Sequence, residues 1–220
     1  MGIISENVRR ITESLPSDVA LMAVVKTRTA EEVLEAVEAG FRIHGGNYVQ
    51  ETAALAGRVA QEVKWHMIGH LQTNKVKKAV GIFDMIETVD SVELTREIDK
   101  RCAQAGGTMD VLVEINSGRE PNKTGVTPED AEALVRTIAQ LSHIRLRGLM
   151  TMGPLFGDPE ASRPYFRETK RLFDRLDSLG IPGVRMDILS MGMSHSYTVA
   201  IEESATLVRI GTKIFGERIG

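Results

Sequence analysis

The chain has 220 residues, a formal net charge of −3 and a sequence pI near 6.0, and 42% of its residues are hydrophobic. This length suits one large α/β domain or two small domains, and the composition is ordinary for a globular protein. The lack of a basic excess argues against nucleic-acid binding, and no apolar run is long enough to predict a membrane-spanning helix.

The amino-terminal segment and the cysteine content predict a cytoplasmic protein. Residues 1–7 lack a basic stretch followed by an apolar one, so no signal peptide is predicted. Cys102 is the single cysteine and cannot form an internal disulfide, which fits a reducing compartment. The short cluster Lys75-Val76-Lys77-Lys78 is interpreted as the solvated face of a helix.

Apolar runs alternate with segments of helical spacing along the whole chain. An amino-terminal helix is predicted around Ile4–Leu15. The predicted strands that follow are Val19–Val25, Phe41–His44, Val63–Ile68, Phe83–Val89, Val111–Ile115, Ile144–Met150, Val184–Leu189 and Leu207–Ile210. Continuous apolar strands between helices indicate a parallel sheet covered by helices. Eight such units predict a single (β/α)8 TIM-type barrel with an extra N-terminal helix, and an open doubly wound sheet is the alternative.

Local signals mark the ends of several predicted helices. Helix starts are predicted by capping-box spacing at Thr29/Glu32 and Asp90/Glu93 and by the pair Thr127-Pro128, and helix ends by Gly40, Gly106 and Gly180. No linker divides the chain, so residues 1–220 are expected to form one domain. The longest irregular segments, Asn116–Val126 and Met152–Ser162, both follow strands and are expected at the catalytic rim.

Lys26 ends the apolar run Ala20–Val25 and is the first candidate for chemistry. The active site of an α/β barrel is built at the carboxyl ends of its strands. A partly desolvated amine at such a position can attack a carbonyl and form a Schiff base. The alternative is that this lysine ends a strand simply by reaching water.

The loops after the seventh and eighth predicted strands have the composition of a phosphate site. Gly211 allows close approach of the backbone, Thr212 supplies a hydroxyl and an amide, and Ser194 follows the preceding strand. Ordinary strand-to-helix turns are the alternative for either loop alone. Arg209 lies inside the last strand, where an inward charge requires a carboxylate or a ligand atom as its partner.

The histidines do not predict a metal site. His66 and His70 are four residues apart on a predicted strand, roughly 13 Å by strand geometry, which is too far to share one ion. His44 and His195 lie near strand ends, where they line a pocket or serve as structural residues.

Six segments of the chain together match the pattern of a known family: Ala23–Thr27, Asn47–Glu51, Trp65–Lys75, Gly148–Met152, Leu189–Ser194 and Val208–Gly216. In these segments the chain resembles the pyridoxal-phosphate (PLP) homeostasis proteins, which share a barrel with the amino-terminal domain of bacterial alanine racemase. Together the segments span nearly the whole chain, and the block from Trp65 to Lys75 is long and specific.

The resemblance implies a role for each matching position. Lys26 would hold PLP as a Schiff base, Ser194, Gly211 and Thr212 would bind its phosphate, and Arg209 would face the pyridine nitrogen. Asn47 would lie near the ring or its hydroxyl, and Met152 would stand beside the ring. No catalytic residue and no metal ligand is assigned.

The sequence departs from the family pattern at three places. Gly46 stands where the family usually has glutamate, Ser196 where it usually has aspartate, and Ser204-Ala205-Thr206 replaces the usual Gly-Ser-Thr. The loss of the glutamate puts any partnership made by that residue in doubt.

The resemblance implies a carrier that stores PLP and releases it, with apo PLP-dependent enzymes as acceptors, rather than an efficient enzyme. The carboxyl-terminal domain that completes alanine racemase is not expected after the barrel. Because that domain takes part in the racemase dimer, a monomer is expected here. An arginine partner for the ring nitrogen makes the cofactor a weaker electron sink. The alternatives are a PLP-dependent amino-acid racemase of low activity and a cofactor-free barrel enzyme acting on a phosphorylated metabolite.

Overall fold

Eight parallel strands close into a barrel in this computed structural model, which describes residues 2–59, 63–154 and 157–217. The strands are β1 Ala20–Val24, β2 Ile43–Gly46, β3 Lys64–Met67, β4 Met85–Val89, β5 Met109–Ile115, β6 Ile144–Thr151, β7 Val184–Ser190 and β8 Leu207–Ile210. Each strand pairs with the next, and β1 also pairs with β8, with Met22 opposite Arg209. The barrel is therefore confirmed, and the open sheet is excluded.

Helices connect the strands. They are α1 Ile3–Ser14, α2 Ala30–Glu38, α3 Val49–Ala56, α4 Val76–Ala79, α5 Val92–Ala105, α6 Ala131–Ile138, α7 Arg163–Ser178, α8 Tyr197–Glu202 and α9 Thr212–Phe215, with short 3-10 turns at Thr73–Lys75 and Pro159–Ser162. The predicted amino-terminal helix is α1, which packs on α2 and α9 through Ile4, Val8 and Ile11. Within the described ranges, no helix has the length and apolarity needed to cross a bilayer.

Two of the predicted helix starts differ from those observed. The capping box at Thr29 and Glu32 is present, with both reciprocal hydrogen bonds. Asp90 is not the cap of α5, because Ser91 Oγ accepts from the Leu94 amide instead. Thr127 lies in a turn, and α6 begins after Asp130, whose side chain accepts from the Thr127 hydroxyl at 2.7 Å. The neighbouring serine therefore caps α5, whereas the Asp130 side chain makes no capping bond to α6.

The barrel interior is apolar towards the middle and polar towards the carboxyl ends of the strands. Met22, Ile68 and Leu207 form one buried cluster, and Met85, Leu112 and Met150 form another. Residues two apart on a strand face the same side. The polar interior residues that follow apolar ones by two positions are Glu87 after Met85, Glu114 after Leu112, Ser190 after Ile188, and Arg209 after Leu207. The carboxyl end of the barrel is therefore its polar end.

Candidate functional site

The fold brings the predicted site residues to the carboxyl end of the barrel. Lys26, Asn47, Met152 and Gly211 all follow the last residue of a strand by one or two positions, and Ser194 lies four residues beyond β7. Arg209 differs from them because it is inside β8, where it is 3% exposed. The loop Met152–Ser162 is only partly described, since residues 155 and 156 lie outside the described ranges.

A strained turn presents Lys26. Thr27 has a φ of 62°, a conformation that costs a β-branched residue about 1–3 kcal/mol. The turn is held by a hydrogen bond from the Arg28 amide to the Val25 carbonyl at 3.0 Å, and Glu51 of α3 accepts from the Thr27 amide. Lys26 is half-buried, with its Nζ 5.4 Å from the centroid of the Tyr48 ring. Its amine is in no salt bridge with any described residue.

The loops after β7 and β8 meet directly. Ser194 Oγ accepts from the Gly211 amide at 3.2 Å, so two of the predicted phosphate-binding residues are in contact. An added Cβ at Gly211 would make only ordinary contact with Val24 at 3.5 Å, and φ is −117°. No contact with the described residues therefore requires glycine at position 211. Thr212 is the first residue of α9 and is partly exposed.

Arg209 is held by a buried chain of hydrogen bonds, which we call the interior relay. His66 Nδ1 lies 2.7 Å from Glu87 Oε1, Ser190 donates to Glu87 Oε2 at 2.6 Å, and Arg209 Nη1 donates to Ser190 Oγ at 2.5 Å. Arg209 Nη2 also donates to the Thr151 carbonyl at 2.8 Å. A carboxylate or a ligand atom was predicted as the partner of Arg209, and the structure places the Glu87 carboxylate one hydroxyl away, bridged by Ser190.

The environment of the relay favours its charged form. Burial alone would raise the pKa of Glu87, but the hydrogen bond from His66 and the charges of His66 and Arg209 lower that pKa below its ordinary value. Burial lowers the pKa of Arg209, and the charges of Glu87 and Glu114 oppose that effect. An arginine remains protonated under these conditions. The barrel interior therefore contains a preformed, compensated positive charge.

Three buried polar atoms at this end of the barrel have no partner within the described residues. Ser162 Oγ lies in the loop that follows β6, next to Gly153, and the other two are Asn47 Oδ1 and Glu114 Oε2. The other carboxylate oxygen of Glu114 accepts from the Thr124 hydroxyl at 2.7 Å, and burial raises the pKa of Glu114. Unpaired buried polar atoms are rare in folded proteins, so Asn47 and Glu114 mark a place where a ligand would supply the missing bonds.

The other histidines lie away from the barrel interior. Gly45 faces the interior beside Met22 and Ile68, so its neighbour His44 faces the helices and packs on Trp65. His195 Nε2 lies 3.1 Å from the Pro154 carbonyl and joins the loops after β7 and β6. His70 is 3.8 Å from Asp90, away from the His66–Glu87 pair. The described residues include no group of three or more His, Cys, Asp or Glu side chains that could hold a metal ion.

Gly46 and Ser196, two of the departures from the family pattern, fit the structure locally, whereas Ser204 has a backbone conformation that favours glycine. A Cβ at Gly46 would lie 1.9 Å from Thr52 Oγ1, so position 46 faces α3 rather than the interior. Ser196 is fully buried, and its hydroxyl accepts from the Met193 amide at 3.3 Å. Ser204 has a positive φ of 70° and follows α8.

Sequence reasoning missed His66, Glu87, Ser190 and Glu114 as parts of the site. The available signal was a charged residue inside an apolar strand, as in Met85–Val89 and Met109–Ile115. The same signal had identified Arg209. The contribution of Glu51 had no such signal, because it depends on how α3 packs against the Lys26 turn.

Comparison with known proteins gives a consistent result. Residues 2–219 match the sequence model of a family described as "Alanine racemase, N-terminal domain". A relative from Aquifex aeolicus named "Pyridoxal phosphate homeostasis protein" is 42% identical over 199 residues, which cover 90% of this chain and 86% of the relative.

Solved structures show the same likeness. PipY of Synechococcus elongatus solved with PLP bound superposes with a TM-score of 0.89 at 33% identity and covers 97% of this chain and 100% of PipY. PipY solved without PLP gives a TM-score of 0.92 at 34% identity, with the same coverage of both chains. An alanine racemase of Clostridium difficile has a TM-score of 0.84 at 18% identity and shares the fold; the match covers 99% of this chain and 57% of the racemase.

Proposed function

This chain belongs to the alanine racemase N-terminal domain family and, within it, to the pyridoxal phosphate homeostasis proteins, and we propose that it binds PLP through Lys26. PLP supplies an aldehyde that forms a Schiff base with a primary amine. The observation that carries the proposal is a half-buried lysine whose amine is in no salt bridge with a described residue, held by a strained turn at the carboxyl end of the barrel.

Residues around Lys26 fit the remaining parts of the cofactor. The hydroxyls of Ser194 and Thr212 and the amide of Thr212 are donors for a phosphate, and the Gly211 amide, which donates to Ser194 Oγ at 3.2 Å in the protein alone, would exchange that acceptor for a phosphate oxygen. A side chain at position 211 would not clash with the protein. Close approach of a bound phosphate to the backbone would therefore explain glycine there. Asn47, with its unpaired oxygen, would meet the ring hydroxyl, and partly exposed Met152 would cover the ring.

Arg209 would face the pyridine nitrogen. Because the interior relay fixes the guanidinium on two sides, its position is set before any ligand binds. A protonated arginine donates a hydrogen bond but does not protonate the nitrogen, so the ring withdraws electrons less strongly. This supports a carrier in which PLP is held and released without efficient catalysis, with apo PLP-dependent enzymes as acceptors. We also propose that residues 1–220 act as one PLP-binding domain and as a monomer.

The test is an absorbance spectrum of the protein with PLP, before and after borohydride reduction, followed by peptide mapping. Wild type should gain a visible band and a stable adduct on Lys26, and Lys26→Ala should lose both. Lys64→Ala is the matched control, because Lys64 is an exposed lysine at the start of β3, at the opposite end of the barrel.

Each other outcome identifies a different function. An adduct on Lys75 or Lys123 would contradict the assignment of Lys26. The absence of any band after PLP addition would favour a cofactor-free barrel enzyme. Amino-acid racemisation that depends on Lys26 would favour a PLP-dependent racemase.

A further inference from the structure

Arg28 follows the proposed Schiff-base lysine by two residues and has a largely buried side chain. That side chain is 7% exposed, and its guanidinium donates to the carbonyls of Phe215 at 3.3 Å and Gly216 at 2.5 Å. The two carbonyls are 187 and 188 residues away along the chain, at the end of α9. Arg28 therefore ties the Lys26 turn to the helix that begins with Thr212.

Further contacts fix the Arg28 guanidinium. It lies 5.3 Å from the centroid of the Phe215 ring, and its Nη1 also donates to Glu32 at 3.2 Å. Glu32 is itself held by the Thr29 amide, which donates to the second carboxylate oxygen at 2.7 Å. A planar guanidinium that meets two carbonyls, a carboxylate and an aromatic ring has one preferred placement. The connection between the turn and α9 is therefore well defined.

The connection acts on a strained piece of backbone. Thr27, between Lys26 and Arg28, has a φ of 62°, and such a conformation persists only where the surrounding structure holds it. One anchor is Glu51, which accepts from the Thr27 amide, and another is the bond from the Arg28 side chain to α9. Release of Arg28 would allow the strained turn to relax, and the Lys26 side chain would move with it.

The other end of the connection is the proposed phosphate site. α9 is a single turn of helix, Thr212–Phe215, so its two ends are held in a fixed relation. The Gly211 amide before its start donates to Ser194, and Arg28 binds the carbonyls at its end. A phosphate bound at Gly211 and Thr212 would therefore fix the acceptors on which Arg28 depends.

We propose that Arg28 is a positioning residue that couples the phosphate site to Lys26, so that a phosphate bound beside α9 promotes Schiff-base formation by Lys26. The inference rests on the proposed binding of PLP and adds a link between two parts of that site. Coupling between sites is reciprocal, so Schiff-base formation tightens phosphate binding by the same factor. The protein would then favour the phosphorylated aldehyde by more than the phosphate contacts alone provide.

The experiment divides the cofactor into two pieces, pyridoxal and inorganic phosphite. Phosphite has one oxygen fewer than phosphate and leaves room for the hydroxymethyl group of pyridoxal. The visible band and the rate of borohydride trapping on Lys26 are followed as phosphite is increased at constant ionic strength. In wild type, saturating phosphite should raise the apparent affinity for pyridoxal about five- to tenfold, within the usual range of coupling between sites.

Variants at position 28 test whether this residue carries the coupling. Arg28→Met keeps an apolar contact with Phe215 and removes every donor, so the enhancement by phosphite should fall to about twofold or less. Arg28→Lys keeps the charge but lacks the planar fork, and it should retain part of the enhancement. The enhancement is a ratio, so a variant that merely weakens the binding of both pieces would leave it unchanged.

Arg42→Met is the matched control. Arg42 also donates to two backbone carbonyls, those of Val37 and Phe41, but it lies just before β2, at the opposite end of the barrel. This variant should keep the enhancement of wild type. Urea denaturation without ligand establishes that each variant folds.

The outcomes separate the coupling from the cofactor function. Equal enhancement in wild type and Arg28→Met, or no enhancement in wild type, would overturn the coupling. If Arg28→Met does not fold, Arg28→Lys decides, and a full wild-type enhancement in that variant would count against the proposal. Absence of a Schiff base between wild type and PLP itself would instead count against the proposed cofactor function, of which this coupling is a part.

Discussion

The two glutamates inside the barrel are predicted to respond differently to neutralisation. Glu87 has two hydrogen bonds, with His66 at 2.7 Å and Ser190 at 2.6 Å. Bonds to charged groups contribute about 1.5–3 kcal/mol each and neutral bonds about 0.5–1.5 kcal/mol. Glu87→Gln makes both bonds neutral, with the amide oxygen accepting from Ser190 and the amide nitrogen donating to an unprotonated His66 Nδ1, so it should lower the free energy of unfolding by about 2–3 kcal/mol. Glu114→Gln removes a carboxylate that burial disfavours and should cause no loss at neutral pH.

The pH dependence of the unfolding free energy tests the same comparison independently, because the two glutamates should act in opposite directions. The folded-state pKa of Glu87 is lowered, so its contribution is present above its ordinary value of 4.5 and is lost as the pH falls through the folded-state pKa. The stability gap between wild type and Glu87→Gln should therefore close under acid. The folded-state pKa of Glu114 is raised, so wild type should gain stability relative to Glu114→Gln as the pH falls towards 4.5.

The assay is urea denaturation of the cofactor-free proteins, followed by the fluorescence of Trp65, at a series of pH values. Unchanged m-values would show that the variants unfold from the same compact state. Equal losses of stability in the two variants, or a Glu87→Gln protein as stable as wild type at pH 7, would refute the relay as the source of the stabilisation.

Three further predictions concern the phosphate site, acid stability and turnover. Thr212→Val should weaken PLP binding about ten- to hundredfold through loss of one donor to a charged group, and equal affinity of wild type for pyridoxal and PLP would remove the phosphate argument. Burial, aided by the charge of Arg42, lowers the pKa of His44 from 6.5 to about 4. Protonation of His44 should therefore cost wild type about 3 kcal/mol of unfolding free energy between pH 6.5 and pH 4, and His44→Phe should lack this contribution in denaturation curves. With PLP and L-alanine in deuterium oxide, α-proton exchange and racemisation should stay below about one per second, and faster turnover that Lys26→Ala abolishes would establish catalysis.

The sequence predicted the strands well because barrel strands are continuous apolar runs. Leu207–Ile210 matches β8 at both ends. The second strand was placed too early, at Phe41–His44, whereas β2 is Ile43–Gly46. Gly45 and Gly46 look like turn residues in the sequence, but close contacts with Met22, Ile68 and Thr52 make glycine the residue that fits a strand there. Such contacts between distant segments are not visible in a local pattern.

The candidate site was predictable where it follows strand ends and unpredictable where it depends on pairing across the barrel. Lys26 and Gly211 could be assigned to the site because each comes shortly after a predicted strand. The relay joins Glu87 to Ser190 across 103 residues and to His66 across 21 residues. Arg209 showed that a partner was needed, but the identity of that partner depended on the order in which the strands close the barrel.

The charge distribution at the barrel end bears on how tightly a cofactor is held. The proposed phosphate donors, Ser194, Gly211 and Thr212, are neutral. The neighbouring Lys213 ammonium lies 4.7 Å from the centroid of the Tyr197 ring, and the charge of Arg209 is compensated by the buried relay. A phosphate bound by neutral donors gains less than one bound by arginine forks, and its binding depends less on salt. In the proposed carrier, retention would then rest mainly on the bond to Lys26, and an amine that competes for the cofactor aldehyde would control release.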